Sequence, residues 1–257
     1  MKTALITGGA GGIGNPIVKL LSNQGFQVII WGRDKKKFDS LYSQLSSVET
    51  DRIVFHSIDV RDPKQVKEGI QRLKALDTLI NMAGVVWPIG KAADVDLEKF
   101  KMAFDINFFG TLYACVFAIP LLLKSPAGKI INFAGGGSAY ARENHSAYGC
   151  SKTAIVRLTE NLGLEYPQLD INTLAPGAHK TPMWNDETFD QEPKQWSDMD
   201  ELIAFIDFLF SDRSKGITGK FLHFKDKIEE NSKNFLQNSD LYTLRRIDDF
   251  QFFKLKK

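Results

Sequence analysis

The sequence predicts an α/β protein: a single doubly wound domain with a mainly parallel, seven-stranded sheet and helices on both faces. Three observations carry this expectation. Short, uniformly apolar runs alternate with longer segments of helical period along most of the chain, the pattern of parallel strands buried on both faces. A glycine-rich turn, Thr7-Gly8-Gly9-Ala10-Gly11-Gly12-Ile13-Gly14, separates the first apolar run from the first helical one. No repeat, low-complexity stretch or Pro/Gly/Ser linker divides the chain, so residues 1–225 read as one domain.

Taken in order, Ala4-Leu5-Ile6 is the first strand and Ile17 to Leu21 belongs to the first helix. Gln27 to Trp31 is strand two. Lys35 to Leu45 is helical, with Phe38, Leu41, Tyr42 and Leu45 on one face. Arg52 to Ile58 is strand three, and Pro63 to Leu76 is a helix with proline near its start. Thr78-Leu79-Ile80 is strand four, Val95 to Leu123 is mostly helical, and Lys129 to Phe133 is strand five. Ser146 to Glu165 is helical, Asp170 to Leu174 is strand six, and Phe221 to Phe224 is the seventh. The amphipathic stretch Asp200 to Phe210 reads as core packing. Residues 226–257 lose the alternation but keep Phe235, Leu236, Leu241, Tyr242, Leu244, Phe250, Phe252 and Phe253. This extension is expected to dock on the body or on a partner subunit, because disordered tails are poor in such groups.

The net charge of +2 gives no reason to expect nucleic acid or an acidic membrane as partner. The first strand begins almost at Met1, leaving no room for a signal peptide, and the apolar run around Ile119 to Leu123 is short and interrupted by Pro120. Cys115 and Cys150 are too few for a disulfide framework and lack metal-ligand spacing with the histidines, so no metal site is expected. A cytoplasmic address follows as the expectation. His145 shows no acidic partner in the sequence, and Gly136 to Tyr140 lacks the second glycine of a nucleophile elbow, which argues against hydrolysis.

A strand, a glycine turn and a helix together present backbone N–H groups and a helix N-terminus to a pyrophosphate. Both Gly9-x-Gly11-x-x-Gly14 and Gly8-x-x-x-Gly12-x-Gly14 fit dinucleotide spacings. Farther along, Tyr148 and Lys152 stand one helical turn apart on a common face. A free phenol titrates near ~10. An ammonium held close favours the phenolate, so such a pair relays a proton to a carbonyl or from an alcohol.

The glycine turn, Asn81-Met82-Ala83-Gly84, Asn107, Tyr148-x-x-x-Lys152 and Pro176-Gly177 occur in one order. With these residues the chain resembles the short-chain dehydrogenase/reductase family from about residue 2 to 225. The resemblance implies a Rossmann domain and an NAD(P)(H)-dependent oxidoreductase acting on a small carbonyl or alcohol. It assigns Thr7, Gly8, Gly12, Ile13 and Gly14 to the phosphate turn. Asp59 and Val60 fall to the adenine, and Asn81, Ala83 and Gly84 to the cofactor cleft. Asn107 falls to a water relay, Tyr148 to the acid/base, and Lys152 to the ribose and the tuning of Tyr148. Pro176, Gly177 and Thr181 fall to the nicotinamide end. A homodimer or homotetramer is implied, with 107–123 and 148–166 as contact helices.

One departure stands out. The family's substrate-binding serine sits thirteen residues before the tyrosine, where this chain has Gly135 in Ala134-Gly135-Gly136-Gly137-Ser138. Ser138 swinging in, or backbone N–H groups of the glycine run, are the two replacements expected. The glycine run resembles reductases of bacterial sugar or surface-polysaccharide pathways. A catalytically weak dinucleotide-binding regulator is the alternative that the missing serine suggests.

On the cofactor, Asp34 reads as the N-cap of the next helix, and Gly32 occupies the position of an NAD-selecting acid. Arg33 suits a 2′-phosphate, so NADP(H) is expected over NAD(H). The substrate wall is expected to include Val85 to Pro88, Ser138 to His145 and Met183 to Trp196.

Overall fold

The computed structural model describes residues 1–226, Ile228 and 240–245. It has a seven-stranded, all-parallel sheet in the order β3-β2-β1-β4-β5-β6-β7. The strands are β1 Thr3–Thr7, β2 Gln27–Gly32, β3 Ile53–Ser57, β4 Thr78–Asn81, β5 Lys129–Phe133, β6 Asp170–Ala175 and β7 Lys220–His223. The helices between them are α1 Gly14–Asn23, α2 Lys35–Tyr42, α3 Ser47–Thr50, α4 Pro63–Gln71, α5 Leu97–Phe104, α6 Gly110–Leu122, α7 Ser146–Glu165 and α8 Met199–Phe210.

Side chains alternate across each strand, so the sheet feeds two cores. Ala4, Ile6, Val28 and Ile30 pack with α1 and α8 through Ile17, Leu21, Leu202, Phe205 and Leu209. Leu5, Ile29 and Trp31 face Val66, Ile70, Ala114, Ile119 and Leu122 from α4 and α6. The stretch read as core packing, Asp200 to Phe210, is α8, and it packs as expected.

Boundaries moved where polarity or capping intervened. The helix begun at Pro63 stops at Gln71, N-capped by Asp62. Leu76 is buried all the same, in the connection to β4. The Val95–Leu123 stretch is one run of α5, a π-helical turn at Asp105–Phe109, and α6 with Pro120 inside it. Apolar content did not separate a π turn from an α turn. This continuous run, Leu97–Leu122, is long and apolar enough to cross a membrane by length and composition, contrary to the reading of a short interrupted stretch. Half of its apolar window is buried inside the domain.

Because β1 lies inside the sheet, with β2 on one side and β4 on the other, the chain reverses direction of winding between β1 and β4. In such sheets a crevice opens at the carboxyl ends of the strands there. Most of the extension lies outside the described residues, including Phe235, Leu236, Phe250, Phe252 and Phe253. The part that is described lies on β7 and α7. Phe221 N–H donates to the Tyr242 carbonyl at 2.7 Å and Lys220 Nζ to that of Leu241 at 3.0 Å. Buried Glu160 accepts from Leu244 N–H and pairs with Arg157 and Arg245.

Candidate active site

The glycine turn leaves β1 at the crevice. Gly8 adopts φ +74, and a Cβ there would lie 2.9 Å from the Ala83 backbone. A Cβ on Gly14 would lie 2.3 Å from the Gly9 carbonyl, and one on Gly12 would lie 2.6 Å from the Thr181 side chain. Steric demand is thus greatest on the longer-spaced set, Gly8, Gly12 and Gly14. Gly9 and Gly11 would meet only contacts of 3.1–3.2 Å. α1 begins after Ile13 with no side-chain cap and no acidic residue in its first turn. Asn15 N–H donates to the Gly11 carbonyl at 3.0 Å and Pro16 has no N–H, so the groups available to a phosphate among the described residues are Gly12, Ile13 and Gly14 N–H, together with the helix dipole. Thr7 Oγ1 accepts from Met82 and Ala83 N–H, tying the turn to the 82–85 loop.

The adenine end differs from expectation in one respect. Asp59 lies beyond β3, where Arg61 grips both carboxylate oxygens at 2.6–3.0 Å. That grip holds its carboxyl below the usual range, against a smaller opposing effect of burial. Val60 is buried against Gly110. Asp34 caps α2 by accepting from Lys36 and Lys37 N–H, as read from the sequence. Arg33 is exposed at the end of β2.

Asn81 requires correction. Its amide turns into the core, donating to Asn132 Oδ1 at 2.9 Å and to Cys115 Sγ, and does not face the crevice. β4 and β5 pair Asn81 with Asn132 in register, which puts both amides on the same buried face. Gly84 does face the catalytic side: a Cβ there would lie 3.1 Å from Asn107 Oδ1 and 3.4 Å from Lys152 Nζ.

The π turn carries Asn107, fully buried. Its Oδ1 accepts from Val85 N–H at 2.8 Å, and its Nδ2 donates to the Val85 carbonyl and Ser151 Oγ, each at 3.0 Å. The side chain therefore clamps the 82–85 loop to α7. Such widened turns concentrate at functional sites.

Tyr148 and Lys152 lie in the first turns of α7 and are both buried. Lys152 Nζ donates to the Phe133 carbonyl at 2.9 Å and lies 5.8 Å from the Tyr148 ring centre. Burial pushes the ammonium down to about 8. Burial pushes the Tyr148 phenol up to about 12, with Arg142 opposing and Tyr140 adding to the rise. Desolvation of the ring dominates, and the group that opposes it is Arg142, not the Lys152 expected from the sequence.

The glycine run decides the geometry around that phenol. A Cβ on Gly135 would lie 2.0 Å from Tyr148 Oη, so the hydroxyl stands where a serine side chain would begin. Ser138 does not swing in. It is buried, donating from Oγ to the Gly135 carbonyl at 2.7 Å and accepting from Gly135 N–H. It closes the turn, which removes it as a substrate donor. Among the described residues, Gly136 and Gly137 N–H make no hydrogen bond.

Sequence reasoning missed a charged cluster over this run. His145 does have an acidic partner: its Nε2 lies 3.0 Å from Glu187 Oε2, and its Nδ1 lies 2.6 Å from the Glu143 carbonyl. Arg142 Nη2 donates to the same Glu187 oxygen at 2.7 Å, and its Nε and Nη2 donate to Asp190. His145, Glu187 and Asp190 are close enough to ligate a metal, but the Arg142 guanidinium already pairs with both carboxylates. These residues come from loops more than forty positions apart, so no spacing signal announced them.

At the nicotinamide end, Gly177 takes φ +77 and Pro176 accepts from His179 Nε2 at 2.7 Å. Thr181 packs over Gly12. Trp184 and Trp196 pack edge to face at 5.2 Å, while Trp87 is half-buried beyond the 82–85 loop.

An uncapped helix start, a glycine turn closed to side chains and a buried Tyr–Lys pair at one crevice fit a dinucleotide. The comparisons agree. The short chain dehydrogenase family pattern matches residues 2–192. An uncharacterised oxidoreductase of Staphylococcus epidermidis is 30% identical over 199 residues, 75% of this chain and 84% of that one. The aldohexose dehydrogenase of Thermoplasma acidophilum aligns with a TM-score of 0.74 and 25% identity, over 86% of this chain and 91% of that one. A protein named ElxO, solved with NADP bound, aligns with a TM-score of 0.76 and 26% identity, over 87% and 96% of the two chains. The chain belongs to the short-chain dehydrogenase/reductase family of NAD(P)-dependent oxidoreductases.

Proposed function

We propose that the protein is an NADP(H)-dependent oxidoreductase that interconverts a small carbonyl compound and its alcohol. The observation that carries this is the Tyr148–Lys152 pair, buried one helical turn apart beside the glycine run. A nicotinamide bound in this crevice would supply or accept the hydride. Gly8, Gly12, Gly14 and the α1 N-terminus would hold the pyrophosphate, and Arg33 would take the 2′-phosphate. Gly84, Pro176, Gly177 and Thr181 border the nicotinamide end. Lys152, anchored on the Phe133 carbonyl, binds the ribose. Tyr148 gives its proton to the carbonyl oxygen during reduction and takes it back during oxidation. Asn107 keeps the Val85 loop fixed to α7 beneath the reacting centre.

The substrate is a small carbonyl or alcohol, with a sugar-linked compound favoured by Trp87, Trp184 and Trp196 on the wall. The Thermoplasma acidophilum protein is an aldohexose dehydrogenase, which is consistent with this. The working address is cytoplasmic, and a homodimer or homotetramer is proposed. Leu97, Met102, Phe109, Val116 and Leu123 are exposed apolar groups along α5 and α6 that a second copy would cover. Residues 1–225 act as the catalytic domain and 226–257 as a docked extension.

The test is NADPH oxidation over a panel of small aldehydes, ketones and sugars, for wild type and Tyr148→Phe. Loss of about 10²–10⁴-fold in kcat is expected, with NADPH affinity retained. Full activity in Tyr148→Phe refutes the mechanism. Cofactor binding with no turnover on any substrate returns the protein to a regulatory role.

A further inference from the structure

Gly135 and the inward-bonded Ser138 leave the reacting oxygen without the serine hydroxyl. The surface of the glycine run shows what stands there instead. The Arg142 side chain lies flat along it. Its Cβ is 3.3 Å from where a Cβ on Gly137 would be, and its Nη1 is 3.5 Å from the same point on Gly136, with the hydroxyl of exposed Tyr140 beside it at 3.6 Å. Tyr148 Oη occupies the next position, over Gly135. Any side chain at 135 would collide with the phenol, and Gly137 takes φ +90, whereas a Cβ on Gly136 would make only ordinary contacts.

The guanidinium is held from its far side. Nε and Nη2 donate to Asp190, and Nη2 also donates to Glu187. Glu187 is itself fixed: Oε1 accepts from Phe189 and Asp190 N–H at 3.0 Å, and Oε2 accepts from Arg142 and faces His145 Nε2. Nη1 donates to nothing among the described residues. A rigid, two-sided guanidinium clamped on one edge and open on the other is a preorganised donor.

We propose that Arg142 is a catalytic residue that donates, through Nη1, the hydrogen bond to the substrate oxygen that the family's serine otherwise provides. Glu187, Asp190 and His145 are its positioning residues. This rests on the reading of Tyr148 as the acid/base. No proton leaves Arg142. Hydride from NADPH forms the new C–H bond, Tyr148 protonates the oxygen, and the guanidinium stabilises the negative charge that grows on that oxygen in between. Two carboxylates already balance the arginine, so it favours a neutral carbonyl substrate over a carboxylate or phosphate.

The experiment uses the carbonyl substrate found with wild type, comparing wild type, Tyr148→Phe, Arg142→Ala, Arg142→Gln and Glu187→Gln. Turnover is followed by NADPH oxidation and cofactor affinity by NADPH fluorescence. Arg142→Ala and Arg142→Gln are expected to lose about 10²–10³-fold in kcat, with the NADPH Kd within about threefold of wild type. Added guanidinium ion restores part of the Arg142→Ala rate and none of the Tyr148→Phe rate. Glu187→Gln loses kcat more than it changes KM. Arg142 variants within about threefold of wild-type kcat overturn the proposal and leave the Tyr140 hydroxyl or Gly136 and Gly137 N–H as the donors, with the oxidoreductase reading intact. Loss without guanidinium rescue, accompanied by weakened NADPH binding, overturns it in favour of a loop-holding role. A wild type that turns over no carbonyl overturns both readings together.

Discussion

Replacing Lys152 with methionine is expected to make the protein more stable at neutral pH and to erase one component of its pH dependence. Lys152 is almost wholly buried, with one hydrogen bond from Nζ, to the Phe133 carbonyl. Burial lowers its ammonium from an ordinary 10.5 to about 8. Between those values the unfolded chain carries the extra proton, so stability rises with pH across this window and is lowest below it. Integrated from pH 7 to 9, the gain is about 1 kcal/mol. For a chain of this size that is roughly 2–4 °C in Tm. At pH 7 the methionine variant escapes the cost of the buried charge and gives up one hydrogen bond to a carbonyl, about 1 kcal/mol. The assay is thermal unfolding of both proteins without cofactor at pH 7, 8 and 9 and constant ionic strength. The variant should melt above wild type at pH 7, and wild type should recover by 2–4 °C at pH 9. A gap that stays constant, or widens with pH, refutes a depressed ammonium and the buried geometry that causes it.

Arg33→Ala should reduce the ratio of NADPH to NADH efficiency by about 10–100-fold, as expected for one charge-assisted contact to a phosphate, measured by kcat/KM for each cofactor. An unchanged ratio removes Arg33 from the cofactor site. Gly135→Ala places a methyl 2.0 Å from Tyr148 Oη, so the phenol must move. A displacement of about 1 Å costs on the order of 10² in kcat, and NADPH binding should change far less. Glu160→Ala should lower stability by about 1–3 kcal/mol and expose 240–245 to limited proteolysis, because Leu244 N–H loses its acceptor and Arg157 and Arg245 lose their shared carboxylate, keeping only their bonds to the Leu244 carbonyl and Asp240. Unchanged Tm and cleavage would show that this docking contributes nothing.

Much of the fold was legible because its inner strands, β1, β4 and β5 above all, are buried on both faces and so read as apolar runs. β5 and α7 fall at the residues expected for them, and Asp34 was readable as a cap from its place before a charged helix. Asn81 was misread because its motif says nothing about which way an amide points, and the pairing with Asn132 that turns it inward is made across strands. Ser138 was misjudged because a serine after three glycines looks mobile, whereas both its hydrogen bonds close a short turn. The Arg142–Glu187–Asp190–His145 cluster left no trace in local sequence. It joins two irregular loops, and neither hydrophobic period nor residue spacing encodes that encounter.

The segment 240–245 also settles a problem of sheet edges. A seven-stranded open sheet ends in two strands whose outer main-chain groups invite another molecule to add a strand. On the β7 side, the Phe221 amide is already taken by Tyr242 of the same chain. Self-capping at that border leaves β3 as the side on which intermolecular strand addition must be restrained by other means.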